Sequence, residues 1–179
     1  MNAQPTAVFG TQYLRDLYSQ LSTSPNKGKA LEDFCAEFFG AIPGVSVAER
    51  RVVDDAHSQE VDLILDNEQY ADGLRTLAQI LFVEAKNWSK RVGSAEVAWF
   101  DWKIRLSGYA EGFLVVANGV TGSKEDKTSA WQILWQANIE GRRLIVLTPD
   151  EMIACVSAEA IRDLISSKLR RLASRNAPL

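Results

Sequence analysis

Histidine and cysteine are scarce in this chain of 179 residues, which contains one histidine and two cysteines. The one histidine, His57, leaves little room for a histidine triad or a zinc cluster, and its polar neighbours in DDAHSQ favour a solvated loop residue. Cys35 and Cys155 stand alone in apolar-patterned segments. This placement predicts buried thiols in a reducing compartment, expected to be the cytoplasm, and argues against a disulfide framework.

Long apolar runs are also missing. No stretch approaches the roughly 20 residues that span a bilayer, and the first ten residues lack the basic and apolar regions of a signal peptide. We therefore expect no membrane partner. The hydrophobic fraction of 46% and the charged fraction of 24% are ordinary for a globular domain that can bury a core.

An excess of positive charge is the third absence. The 20 lysines and arginines are outnumbered by 23 acids, and a net charge of −3 gives no global attraction to nucleic acid. Basic residues nevertheless cluster in two places: Lys86, Lys90 and Arg91 in the middle of the chain, and Lys168, Arg170, Arg171 and Arg175 near its end. Each cluster is compatible with a polyanion site or with a solvated surface.

Hydrophobic periodicity predicts an α/β protein. Apolar residues at helical spacing indicate helices over 11–21, 29–39, 94–107, 123–138, 150–156 and 158–174, with Ser94 as the expected N-cap of the third. Apolar runs indicate strands over 45–53, 61–65, 79–85, 112–118 and 143–149, with a polar connection over 67–76. Helices alternate with strands late in the chain, which favours parallel pairing there and a sandwich around a mixed sheet.

Charged residues follow the most apolar of these strands. The run 79-QILFVEA-85 is apolar on both faces, as a central strand should be, yet Glu84 and Lys86 stand at its end. Residues i and i+2 of a strand share a face, so these two head groups should lie side by side. Asp62 shares a face with Ile64 on the preceding strand, and it would meet Glu84 if the two strands are neighbours.

Two converging carboxylates form an oxygen-rich site that suits Mg²⁺ or Mn²⁺. A lysine beside such a site favours deprotonation of a metal-bound water and stabilises a negatively charged transition state. Glu32 lies at the margin of the apolar stripe of helix 29–39 and is a candidate third ligand. Together these groups indicate phosphodiester hydrolysis. Each signal alone is also typical of a surface ion pair or a solvated helix residue.

The sequence around these residues resembles that of the PD-(D/E)xK nuclease superfamily, and of its Mrr-like branch in particular. The resemblance rests on 28-GKALEDFCAEFF-39, 61-VDLIL-65, 82-FVEAKNW-88, 113-FLVVANGVT-121 and 144-LIVLTPDEM-152. It implies a restriction-endonuclease-like three-layer sandwich with a central mixed sheet. It also implies Asp62, Glu84 and Glu32 as metal ligands, Lys86 as the catalytic lysine, and Mg²⁺-dependent cleavage of DNA, with Mn²⁺ as a substitute.

The resemblance also implies a role in bacterial restriction or anti-phage defence. It suggests three parts: an N-terminal helix and loop over 1–27, a nuclease-like core over 28–156, and a basic C-terminal helix over 157–179. The predicted phosphate contacts are Lys90, Arg91, Lys103 and Arg105. A homodimer and a partner subunit that supplies target recognition both stay open. The alternative function is a catalytically inactive nucleic-acid-binding or scaffolding subunit that keeps the fold.

Overall fold

A five-stranded mixed sheet forms the centre of the fold. The computed structural model describes residues 11–53, 60–122 and 130–174. Its strands are β1 (Val45–Val53), β2 (Glu60–Asn67), β3 (Ile80–Lys86), β4 (Glu111–Val116) and β5 (Arg143–Leu147), in that order across the sheet. The first three strands pair antiparallel, and β3, β4 and β5 pair parallel. The predicted α/β sandwich around a mixed sheet is confirmed.

Helices cover both faces of the sheet. They are α1 (Thr11–Thr23), α2 (Lys27–Gly40), α3 (Ser94–Leu106), α4 (Ala130–Ile139), α5 (Pro149–Ile153) and α6 (Ala158–Ala173). Side chains of α1, α2, α5 and α6 form one apolar cluster with the sheet, while α3 and α4 form a second cluster on the other face. All six residues of β4 are buried, because this strand is covered on both sides.

The cluster on the α2 face unites distant parts of the chain. Phe39 of α2 packs on Phe113 of β4 with ring centroids 4.7 Å apart. Leu21 of α1 and Ile165 of α6 belong to the same cluster. The C-terminal helix therefore packs on the core, while the predicted division into three parts stays a prediction. No helix in the described ranges is long and apolar enough to cross a membrane.

A buried amide organises the polar connection between β2 and β3. Asn67 is 2% exposed, and its Nδ2 donates to the carbonyl oxygens of Leu74 at 3.0 Å and Ala78 at 2.9 Å. These bonds give the Ala78 carbonyl a donor and add a second donor to the Leu74 carbonyl, which also accepts the Leu77 N–H. They bring β3 back beside β2.

Some local predictions differ from the structure. The N-cap of α3 is Gly93, without a side-chain cap bond, so the prediction of Ser94 at this position was wrong by one residue. The predicted start of α4 at residue 123 lies outside the described residues, as do His57 and Arg175. The two cysteines are free and buried, as expected.

The basic C-terminal helix is less basic at its surface than its sequence suggests. Lys168 is 3% exposed, and its Nζ lies 2.5 Å from Oε1 of Glu151 in the first turn of α5. Arg170 and Arg171 are exposed. Lys168 therefore connects α6 to α5 through an ion pair, and it is too buried to bind a polyanion at the surface.

Candidate active site

The ends of β2 and β3 bring Asp62 and Glu84 together. These strands are antiparallel neighbours, with Leu63 paired to Val83. The same register, continued by one residue, sets Asp62 opposite Glu84. At this point the backbone N–H of Ala85 donates to Asp62 Oδ2 at 2.7 Å. The Asp62 side chain thus accepts a hydrogen bond from the backbone of β3 at the point where the pairing of the two strands ends.

Glu84 is buried between two ammonium groups. It is 3% exposed, and its Oε1 lies 2.6 Å from Nζ of Lys86, while its Oε2 lies 2.8 Å from Nζ of Lys103 on α3. Glu84 and Lys86 thus lie side by side, as their i, i+2 spacing predicts. Both oxygens of this carboxylate are engaged by charge-assisted bonds, which satisfies an acid that would otherwise be costly to bury.

Lys103, one of the predicted phosphate contacts, lies inside the protein and not at its surface. Its side chain is 6% exposed and bonds Glu84 and the backbone carbonyl of Glu60. Lys103 lies between Phe100 and Ile104 on the buried face of α3, and this helical spacing was the signal for its inward direction. Its place in the candidate site was not predicted from the sequence.

Asp62 differs from Glu84 because no lysine or arginine pairs with it at ion-pair distance among the described residues. Burial raises the pKa of Asp62 to about 6, and the negative charge of Glu84 adds to this increase. The Ala85 N–H and Lys86 act in the opposite direction without cancelling it, and Glu32 contributes a smaller increase. Asp62 therefore carries an uncompensated negative charge at neutral pH, next to a second carboxylate.

Glu32 lies beside this group but is held by another residue. Its carboxylate accepts two bonds from Arg51, at 2.8 Å from Nε and 3.2 Å from Nη2. Arg51 has a φ of 52°, which is uncommon for a residue other than glycine and marks a local distortion of β1. The described part of the chain contains no group of three His, Cys, Asp or Glu at metal-binding spacing. Glu32, Asp62 and Glu84 thus do not converge on one point in this arrangement.

The candidate site extends around the end of the sheet. Glu84 and Lys103 belong to the α3 side. On the α2 side, burial raises the pKa of the Cys35 thiol well above its ordinary value, and the charges of Asp62 and Glu32 add to the effect. Asp62 therefore lies between the two sides, within electrostatic reach of Glu84, Lys86, Glu32 and Cys35.

Lys86 remains an ammonium group in this environment. Burial disfavours its charged form, but the Glu84 carboxylate outweighs burial, with a smaller contribution from Asp62, and the pKa of Lys86 is raised. Its side chain is 28% exposed, so the head group is reachable from solvent. The arrangement therefore supplies a positively charged donor to a ligand, and Lys86 is unsuited to removing a proton as a neutral base.

The other predicted phosphate contacts lie around the site at the surface. Lys90 and Arg91 are exposed in the loop after β3, and the Lys90 ammonium lies 6.0 Å from the ring centroid of Trp88. Arg105 is exposed on α3 and lies near Glu140, beyond the end of α4. Arg105 thus points toward the α4 side, whereas Lys90 and Arg91 directly follow the strand that carries Glu84 and Lys86.

Comparison with known proteins identifies the class that this fold and site define. A family model described as restriction endonuclease, Mrr_cat, matches residues 24–140. The chain belongs to this restriction endonuclease family, and the resemblance to PD-(D/E)xK nucleases is confirmed. The matched range contains α2 and all the strands except β5, together with each residue of the candidate site.

One solved structure supports the fold. The crystal structure of the small subunit (R.BspD6I2) of the heterodimeric restriction endonuclease R.BspD6I aligns over 93% of this chain and 91% of its own, with 13% identity and a TM-score of 0.51. The ATP-dependent Type ISP restriction-modification enzyme LlaBIII bound to DNA aligns over 75% of this chain and 8% of its own, with 19% identity and a TM-score of 0.46. No curated protein matches the chain. At these identities the first likeness shows the fold alone, and the second carries no argument.

Proposed function

We propose that this chain is a divalent-cation-dependent endonuclease that hydrolyses DNA phosphodiester bonds at Asp62, Glu84 and Lys86, in restriction of foreign DNA in the cytoplasm. One observation carries the proposal: an unpaired, largely buried Asp62 faces Glu84 across the ends of β2 and β3, with Lys86 bound to Glu84. Membership of the restriction endonuclease family supports the same reaction class.

The chemistry of the site fits a hard cation. Asp62 and Glu84 offer only oxygen donors, which Mg²⁺ and Mn²⁺ prefer. Asp62 Oδ1 has no hydrogen-bond or ion-pair partner in the described ranges, since the Ala85 N–H binds Oδ2. A cation at Asp62 would also offset the charge that burial leaves uncompensated there. The residues present therefore fit the group that the family implies.

Each residue has a defined part in this proposal. Asp62 and Glu84 would hold the cation, which when bound supplies Lewis-acid activation of water and phosphate. Lys86 keeps its proton, so it orients the attacking water and stabilises negative charge as it develops on the phosphate. Glu32, now paired with Arg51, is proposed as an outer member that supports Asp62 from α2.

Lys90 and Arg91 are proposed to contact the DNA backbone. Both are exposed and follow the catalytic strand within five residues of Lys86. Phosphate contacts from a few basic side chains are sufficient to bind DNA locally, even on a protein of net charge −3. Such binding weakens as the salt concentration increases. We expect replacement of Lys90 or of Arg91 by an uncharged residue to reduce the affinity for DNA without changing metal binding.

Plasmid cleavage tests the proposed activity. Supercoiled plasmid is incubated with the purified chain in Mg²⁺, Mn²⁺ or EDTA, and nicked and linear products are followed with time. The Glu84→Gln and Lys86→Met variants should lose about 10²-fold or more of the cleavage rate, because each removes a charge required in the transition state. Asp66→Asn is the matched control, since Asp66 is exposed on the same strand as Asp62. Equal cleavage by the wild type and both site variants would refute the assignment.

A specific observation favours a second candidate, a nuclease-fold subunit without activity of its own. Both oxygens of Glu84 are engaged by lysines, and Glu32 is engaged by Arg51. The structural neighbour R.BspD6I2 is itself the small subunit of a heterodimeric enzyme. We infer that a partner, another copy or a different subunit, would then complete the site or supply target recognition. DNA binding of equal strength in Mg²⁺ and EDTA, without cleavage, is the result that supports this candidate.

A further inference from the structure

Lys103 reaches the candidate site from a different element than the motif residues. It extends from α3 to the sheet, and its Nζ lies 2.8 Å from Glu84 Oε2. The same Nζ donates to the backbone carbonyl of Glu60, two residues before Asp62. One ammonium group thus bonds both strands that carry the proposed ligands.

Packing alone gives no reason for a lysine at this position. Its neighbours Val97, Phe100 and Ile104 are buried apolar residues of the same helix face. A buried ion pair is often no more stabilising than a well-packed apolar side chain, because desolvation offsets the attraction. Among the residues that the structure describes, the ammonium group of Lys103 bonds the Glu84 carboxylate and the Glu60 carbonyl of β2.

The two lysines hold Glu84 in different ways. The Lys86 side chain is 28% exposed, so solvent or a ligand can approach Oε1. The Lys103 side chain is 6% exposed and belongs to a helix packed on the sheet, so its bond to Oε2 is shielded from solvent. A carboxylate oxygen has two lone pairs, which lets Oε1 accept Lys86 and a cation together. Oε2 is the less accessible of the two oxygens, because its partner Lys103 is buried.

We propose that Lys103 is a positioning residue that reserves Glu84 Oε2, so that the proposed centre takes one divalent cation per chain and the Lys103 ammonium occupies the place of a second. This inference rests on the proposed function.

Titration with Mn²⁺ alone tests the inference without any activity measurement. Calorimetry and the electron paramagnetic resonance signal of free Mn²⁺ should both give one Mn²⁺ per wild-type chain. Lys103→Met removes the ammonium and keeps an unbranched side chain. This variant should bind a second Mn²⁺ or bind the first at least 10-fold more tightly, because Oε2 becomes available. Lys103→Arg retains the charge and should restore the wild-type titration.

Arg105→Met is the matched control, because it removes one positive charge from the exposed side of the same helix. Two Mn²⁺ per wild-type chain, or a Lys103→Met titration that equals that of Arg105→Met, overturns the inference and leaves the proposed function standing. Absence of any Mn²⁺ binding by the wild type overturns both. If Lys103→Met does not fold, as judged by near-UV circular dichroism, the stoichiometries of the wild type and Lys103→Arg decide the question.

Discussion

Replacement of Asp62 by asparagine should stabilise the protein while it removes activity. Asn keeps the size of the side chain and an oxygen that accepts the Ala85 N–H, but it carries no charge. The pKa of Asp62 is raised from 3.8 to about 6, first by burial and then by Glu84. At about 1.36 kcal/mol per pH unit the ionised group costs the folded state about 3 kcal/mol, or about 2 kcal/mol once solvent at its exposed edge is considered.

The sign of the pH dependence follows from the raised pKa. Between about pH 4 and pH 6 the folded protein keeps a proton on Asp62 that the unfolded chain has released. Wild-type stability from this group is therefore present below about pH 4 and is lost as the pH rises to about 6. The advantage of Asp62→Asn should be near zero at pH 4 and should reach its full value of about 2–3 kcal/mol above pH 7.

Urea unfolding in EDTA at pH 4, 5.5 and 7.5 measures this difference for the wild type and Asp62→Asn. The neutral-pH advantage corresponds to an increase in Tm of roughly 5–10 °C for a domain of this size. Asp66→Asn, on the exposed side of β2, should show little change at any of the three pH values. A variant that is less stable than the wild type at pH 7.5, or an advantage that is independent of pH, would refute the reasoning about Asp62.

Two further predictions concern the packing that positions the site. Gly112→Ala should destabilise the protein by about 1–3 kcal/mol in urea unfolding. The added Cβ would lie 2.7 Å from Cζ of Phe100 and would press α3 away from the sheet. An unchanged unfolding midpoint would contradict this packing. Asn67→Ala should cost about 1–3 kcal/mol, because it removes the side-chain hydrogen bonds to the Leu74 and Ala78 carbonyls, and hydrogen exchange should increase in residues 68–79; exchange at the wild-type rate would contradict this role.

The sequence predicts the central pair of the site because strand geometry is local. The i, i+2 spacing places Glu84 and Lys86 side by side, and the polar connection over residues 68–79 returns β3 to β2 as its antiparallel neighbour. The face of Asp62 then follows from alternation along β2. No long-range information is needed for these three residues beyond the neighbouring position of two consecutive strands.

The remainder of the site depends on tertiary contacts that alternation does not encode. Lys103 occupies a helix position that spacing assigns to the core, but its charge favours a surface interpretation until the buried partner Glu84 is known. The pair between Glu32 and Arg51 depends on a positive φ within β1, which no residue preference predicts for arginine. Charge pairing across elements therefore decided which acids stay open to a ligand.

The most direct test of the central claim is a crystal of the protein soaked in Mn²⁺ and measured for anomalous scattering. We expect one strong peak within about 2.0–2.3 Å of Asp62 Oδ1 and of an oxygen of Glu84, absent from a crystal of the Asp62→Asn variant. No peak between Asp62 and Glu84 at saturating Mn²⁺, or a peak that persists unchanged in the variant, would contradict the account.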